Sequence, residues 1–194
     1  VHGNDVVVVD STTTQSAPDA DASYTLQKNL VCAVLTADCL PVLFAAKDGS
    51  QVAAAHAGWR GLADGVLLNT LNTFKQPSDV IVCFGVAISQ PHFDVGAEVK
   101  EAFPWASDAC FNQGNAGKYF AHLYRLAYEQ LTHAGVTDIY QALFNEAQPG
   151  THLLKPFSSV AENEFPCTYA QETLFYSYRR DKKTGRQASL IWKM

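Results

Sequence analysis

Leu30 to Thr36 (LVCAVLT), Pro41 to Ala46 (PVLFAA) and Gln51 to His56 (QVAAAH) follow one another with only short breaks between them. The first break is Ala37-Asp38-Cys39-Leu40, and the second, Lys47-Asp48-Gly49-Ser50, is a turn signal. Apolar runs of this length bounded by turn residues predict strands, and the second and third predict a hairpin. None alternates cleanly between apolar and polar residues, so all three are expected to be buried on both faces.

Working outward, Asp5 to Asp10 (DVVVVD) predicts a strand before a Ser/Thr-rich loop, and Val80 to Val86 (VIVCFGV) predicts another buried strand. Leu62, Val66, Leu67, Leu71 and Phe74 recur at helical spacing over residues 61–74, with Pro77 just beyond. A short helix is expected from Asp94 to Phe103, stopped by Pro104. A longer one is expected from Lys118 to His133, with Phe120, Leu123, Tyr124, Ala127 and Leu131 on its apolar face. Val136 to Leu143 reads as a strand. Residues 145–166, punctuated by Pro149-Gly150, Pro156 and Pro166, read as a surface insertion. Leu174 to Tyr178 and Gln187 to Trp192 read as a hairpin with the basic run Arg179–Arg186 at its tip. No repeat or linker divides the chain. The expected fold class is α/β, a single domain over residues 1–194 with mixed β-sheets and flanking helices.

Composition narrows the function classes. With 47% hydrophobic and 17% charged residues, the 194-residue chain carries enough apolar material for a sizeable core and is not a disordered sequence. No apolar run approaches the roughly 18 residues of a membrane helix, so no membrane partner is expected. A net charge of -5 argues against nucleic-acid binding, which needs a basic face to neutralise phosphates. Five cysteines, an odd number without a C-x-x-C pair, point to a reducing compartment, the cytoplasm. The chain opens at Val1 and its only methionine is Met194, so an upstream segment is expected.

Two places invite chemistry. His56 ends an Ala-rich strand and runs into Ala57-Gly58-Trp59-Arg60-Gly61, where glycines at a strand-to-helix junction allow close backbone approach. The helix N-terminus there, with Arg60, could hold phosphate or carboxylate; the glycines could equally just make the turn. Asp38-Cys39 interrupts two buried strands, and Cys39 could be a zinc ligand, a nucleophile or simply a small buried hydrophobe. His2, before Gly3, is uninformative alone. Taken together, two imidazoles and one thiolate form a catalytic zinc complement with a fourth position for water, although the 36 and 16 intervening residues match no short zinc-finger spacing. His92, His122, His133 and His152 read as structural, and no P-loop, G-x-S-x-G or G-x-G-x-x-G occurs.

Val1-His2-Gly3, Thr36-Ala37-Asp38-Cys39-Leu40-Pro41-Val42, His56-Ala57-Gly58-Trp59-Arg60-Gly61, Cys167-Thr168 and Tyr176-Ser177-Tyr178-Arg179-Arg180-Asp181…Thr184-Gly185-Arg186 together resemble one family from end to end. It is the laccase-domain family, also called multicopper polyphenol oxidases and peptidoglycan editing factors, whose members are described as zinc-dependent purine nucleoside phosphorylases with adenosine deaminase activity. The resemblance implies a fold similar to the catalytic domain of cytotoxic necrotizing factors. It also implies that His2, Cys39 and His56 are the zinc ligands, with copper as the alternative metal. The sequence departs from the family at Gly85-Val86-Ala87-Ile88-Ser89, where Gly-Pro-Ala-Ile-Gly is usual, and before Cys167, where it is longer by roughly twenty residues.

The function so implied is phosphorolysis of adenosine- or inosine-type nucleosides and deamination of adenosine by a metal-bound water, with purine nucleoside and phosphate as small-molecule partners. Cys39, His56 and Asp38 are the expected catalytic residues, and Arg60 and Arg179 the expected phosphate-binding ones. The alternatives are a copper-dependent polyphenol oxidase, and a hydrolase of a peptidoglycan precursor using Cys39 and His56 as nucleophile and base.

Overall fold

The computed structural model describes residues 2–12, 19–144 and 152–194. The predicted hairpin sits at its centre. Strands β4 (Leu40–Ala46) and β5 (Val52–Ala57) pair antiparallel, with Leu40 opposite Ala57 and Ala45 opposite Val52. Around them, β1 (Val6–Val8), β2 (Ala22–Thr25), β6 (Val80–Phe84), β10 (Asp138–Phe144) and β11 (His152–Pro156) complete a seven-stranded sheet among the described residues, in the order β1-β2-β5-β4-β6-β10-β11. Pairing is parallel at β1–β2 and β6–β10 and antiparallel elsewhere, so the sheet is mixed, as expected.

The central alanines explain why this sheet is covered on both sides. Ala53 and Ala55 face the main core, where Leu62, together with Leu67 and Leu71 of α2 (Val66–Leu71) and the leucines of α4 (Leu123–His133), joins Val42, Phe44 and Phe84. Ala54 points the other way, into a smaller cluster with Cys32 and Val34. Those two belong to β3 (Val31–Thr36), which pairs antiparallel with β12 (Gln187–Trp192) as a separate two-stranded layer. Small side chains let both layers approach closely, and each large apolar side chain fully buried there contributes roughly 1.5–3 kcal/mol. The strands β7 (Asp94–Val95), β8 (Phe111–Gln113) and β9 (Tyr119–Ala121) form a third small sheet.

Several expectations change in the structure. β3 is not buried on both faces: Cys32, Val34 and Thr36 point inward while Val31, Ala33 and Leu35 face outward, because only β12 flanks it in the outer layer. The helix expected over 61–74 breaks into α1 (Trp59–Ala63) and α2 at Gly65, whose φ of +87° no continuous helix accommodates. The Lys118–His133 helix begins only at Leu123, since residues 119–121 pair as β9 and His122 becomes the N-cap. The 94–103 helix shortens to α3 (Ala97–Glu101) behind β7. The C-terminal hairpin does not form: β12 pairs with β3, residues 174–177 are irregular, and the expected basic tip begins as α5 (Tyr178–Asp181), capped by the Ser177 hydroxyl. Within the expected insertion, residues 145–151 lie outside the described residues. In the remainder β11 adds a strand at the edge of the main sheet and Phe157 and Phe165 join the core, while most of the other side chains are exposed. All five cysteines are free, and no helix among the described residues is long and apolar enough to cross a membrane.

Candidate metal centre

The register of the central hairpin sets Cys39, just before β4, and His56, near the end of β5, at the same end of the sheet. The N-terminal loop reaches that end because Asn4 is tied on both sides: its side chain donates to the Asp64 carbonyl (2.7 Å), and its carbonyl accepts from the Asn69 side chain (3.0 Å). His2 is thereby delivered beside the other two. One ligand atom from each of His2, Cys39 and His56 lies within 4.8 Å of the others, and the imidazole centroids are 5.1 Å apart. Gly58 makes this convergence possible, since a Cβ there would stand 3.0 Å from Cys39 Sγ and 3.2 Å from His2 Cδ2. Gly61 serves the same end, because a Cβ at that position would run into the Gly3 carbonyl oxygen.

Electrostatics suit the donors to a cation. Burial, reinforced by repulsion from His2, pushes His56 down to about 4, so its imidazole is neutral and ligand-ready at pH 7. Burial, and then the neighbouring Asp38 carboxylate, pushes the Cys39 thiol up to about 11. Such a thiol is a poor nucleophile at neutral pH and gains its thiolate form from a bound cation. Soft sulfur with two imidazoles is a donor set for zinc or copper. A carboxylate supports the fit: Asp21 is 3% exposed, and its Oδ1 has no hydrogen-bond partner. A buried anion without a partner is costly, and a nearby cation removes the cost.

Asp38 does something other than touch this cluster. Its backbone has φ +93°, a conformation rarely adopted by non-glycine residues and strained by about 1–3 kcal/mol. Three bonds hold it there. Oδ1 accepts from Thr168 Oγ1 (2.6 Å), Oδ2 accepts from the Arg179 backbone N–H (2.6 Å), and its carbonyl accepts from Ile88 N–H (2.9 Å). The bend thus fixed aims Cys39 at the histidines. The 85–89 stretch takes part by packing rather than chemistry: the buried Tyr124 hydroxyl accepts from Ala87 N–H (2.6 Å) and donates to Pro166 carbonyl oxygen (2.8 Å).

The two expected phosphate-binding arginines fare differently. Arg60 is exposed, lies 4.3 Å over the Trp59 ring, and has no ion pair among the described residues. The five-residue α1 is too short to give it much support from a helix dipole. Arg179 is bound to Asp94, donating from Nη1 to Oδ1 (2.6 Å) and to the carbonyl (3.0 Å). Two neighbours of the centre were not among the expected site residues, although the sequence offers the basic run ending at Arg186 as an anion clamp or a solvated tip. The β3–β12 register sets Gln187 opposite Thr36, which brings Arg186 beside the turn carrying Cys39, and its charge is felt at both Cys39 and His56. Asp21 is the other; nothing in Asp19-Ala20-Asp21-Ala22 marks the second aspartate for burial, and only the fold reveals it. The remaining histidines are structural where described. His122 caps α4, His133 ends it, and His92 stacks on Tyr169 with centroids 4.8 Å apart.

A mixed-sheet α/β domain with a His–Cys–His cluster at one end of its central hairpin thus has donors placed as a metal ion would require. The family model described as "Multi-copper polyphenol oxidoreductase laccase" matches residues 1–194, and the chain belongs to that family. Among curated relatives, it is 43% identical over 197 residues to proteins of Escherichia coli (strain K12) and Shigella flexneri, each named purine nucleoside phosphorylase YfiH; the match covers 99% of this chain and 71% of theirs. Among solved structures, a Neisseria meningitidis protein superposes with TM-score 0.84 at 41% identity, covering 100% of this chain and 72% of that one. YlmD from Geobacillus stearothermophilus superposes with TM-score 0.79 at 29% identity, covering 100% and 71%.

Proposed function

We propose that this chain is a zinc-dependent purine nucleoside enzyme, carrying out phosphorolysis of adenosine- and inosine-type nucleosides and deamination of adenosine at one centre. The observation that carries the reading is the convergence of His2, Cys39 and His56, in a chain whose relatives are named purine nucleoside phosphorylases. His2, Cys39 and His56 would hold the zinc ion, which would supply Lewis-acid chemistry, including the activation of water near neutral pH.

The chain's own residues do the rest. His56, neutral through burial, offers a lone pair without first losing a proton. Asp38 positions Cys39 rather than meeting substrate. In phosphorolysis the C1′–N bond to the base breaks as a phosphate oxygen bonds to C1′, so phosphate must be held beside the sugar. Arg60 and Arg186 are the guanidinium groups suited to that task. Arg179 joins them only by releasing Asp94.

The test is incubation of zinc-loaded protein with adenosine or inosine, with and without phosphate, products being resolved by chromatography. Free base and ribose 1-phosphate are expected only with phosphate, and inosine from adenosine without it. A parent yielding no more than Cys39→Ala overturns the reading. The family description favours one second reading, copper-dependent polyphenol oxidation. Stoichiometric copper in protein purified without added metal, with oxygen consumed on a phenol, would install it. The Cys–His hydrolase reading is weaker, since burial holds the Cys39 thiol protonated at neutral pH.

A further inference from the structure

The unexplained group nearest the ligand cluster is a carboxylate. Asp21 ends the loop before β2, whose register with β5 (Ala22 opposite Ala55) continues to set Asp21 opposite His56. The backbone agrees, since His56 N–H donates to the Asp21 carbonyl (2.7 Å). Residues directly opposite across antiparallel strands present their side chains on one face with Cβ atoms about 4.5–5.5 Å apart. The side chain is buried, Oδ1 is without a hydrogen bond, and Oδ2 lies 3.1 Å from where a Cβ of Gly3 would stand, next to His2. Among the described residues nothing engages Oδ1 of this carboxylate, and β2 and β5 pair through their backbones.

The charge balance of the cluster supplies a reason. A divalent ion on one thiolate and two neutral imidazoles leaves one net positive charge in a setting partly shielded from water. Metal-bound imidazoles commonly give their second N–H to a carboxylate, which fixes ring orientation and strengthens the ligand. Resting on the metal-site reading above, we propose that Asp21 is the positioning residue of this centre. On cation binding it accepts the remaining ring N–H of His56 and balances the excess charge. It is not itself a ligand, for it lies outside the group of three converging donors.

The experiment compares the full chain with Asp21→Asn by zinc titration against a competing chelator and by thermal unfolding without metal. Asn keeps the shape and loses the charge. Zinc affinity is expected to fall about 10–100-fold, while the metal-free midpoint stays level or rises because a buried unpaired carboxylate has been removed. Affinity within twofold of the parent overturns the proposal, as does a metal-free midpoint lowered by several degrees, which marks a structural residue. Should the variant not fold, the parent decides alone: the zinc-loaded chain should show a His56 ring N–H protected from exchange by NMR, and its absence overturns the assignment. No nucleoside enters these measurements, so their failure is separable from failure of the purine reading; a parent that binds no zinc removes the metal centre itself.

Discussion

Replacing Gly58 by alanine separates the centre from the scaffold more cleanly than removing a ligand. The backbone at Gly58 has φ -71° and ψ 161°, open to any residue, so alanine brings no backbone strain. A Gly→Ala change at a compatible position even stabilises by about 0.4–1 kcal/mol through the unfolded chain. What it adds is one methyl, 3.0 Å from Cys39 Sγ and 3.2 Å from His2 Cδ2. Non-bonded heavy atoms settle near 3.5–4.0 Å, so the sulfur must retreat by about 0.5 Å or more and the ring by about 0.3 Å or more. Metal sites need their donors within about 0.5 Å of the productive geometry. The expected result is zinc affinity reduced about 10–100-fold, or about 1.4–2.8 kcal/mol, with the metal-free thermal midpoint within a few degrees of the parent. Chelator-competition titration and calorimetry measure the two. Unchanged affinity would mean that the cluster does not close on an ion in this geometry.

Asp38→Ala removes two side-chain bonds from a carboxylate and leaves alanine at φ +93°, so a loss of about 3 kcal/mol or more in unfolding free energy is expected by denaturant titration. A loss under 1 kcal/mol would show that the bend needs no locking. Arg186→Ala should raise the KM for phosphate in phosphorolysis about tenfold or more while leaving nucleoside KM near the parent value. Arg179→Ala should mainly lower stability by freeing Asp94, and the reverse pattern would exchange their roles. The last concerns pH: burial holds His122 down to about 4 against 6.5 when exposed, despite the opposing Glu162. Lowered in the fold, it contributes stability in full above about pH 6.5 and loses it as pH falls toward about 4. Linkage makes this about 2 kcal/mol between pH 7.5 and 5. The difference should be missing from His122→Gln; equal pH slopes in the two would refute it.

Much of the fold could be read from periodicity and turn residues. The β4–β5 hairpin was legible because Asp48-Gly49 names the turn and both flanks are apolar. The errors share a cause, which is long-range pairing. Nothing local tells Gln187–Trp192 to seek β3 rather than the residues just before it, and nothing in LVCAVLT marks Val31 and Leu35 as outward-facing. His122 looked like one more helical residue because propensity is blind to Tyr119–Ala121 pairing with β7 and β8. The candidate site divides in the same way. His2, Cys39 and His56 were legible as a set only through family motifs, since their separations encode no contact. Asp21 and Arg186 reach the site by cross-strand register, which single-sequence reading does not supply.

The structure itself separates the candidate site from its scaffold through what each leaves unresolved. The cluster of His122, Glu162 and Arg125 resembles a reactive group by composition, yet both imidazole nitrogens are engaged: Nδ1 accepts from Arg125 N–H, and Nε2 donates to Glu162 Oε2 (3.1 Å). It caps a helix and asks for nothing more. At the candidate metal centre, by contrast, Asp21 Oδ1 is buried without a donor, Asp38 is held at a positive φ by three bonds, and Cys39 is kept from ionising by burial. None of these strengthens the core, and each is costly to the chain alone. A divalent cation would balance the Asp21 charge and bind the thiolate that the Asp38 bend presents. Costs that converge on one place and share one remedy are difficult to explain as accidents of folding, whereas a satisfied histidine needs no ligand to account for it.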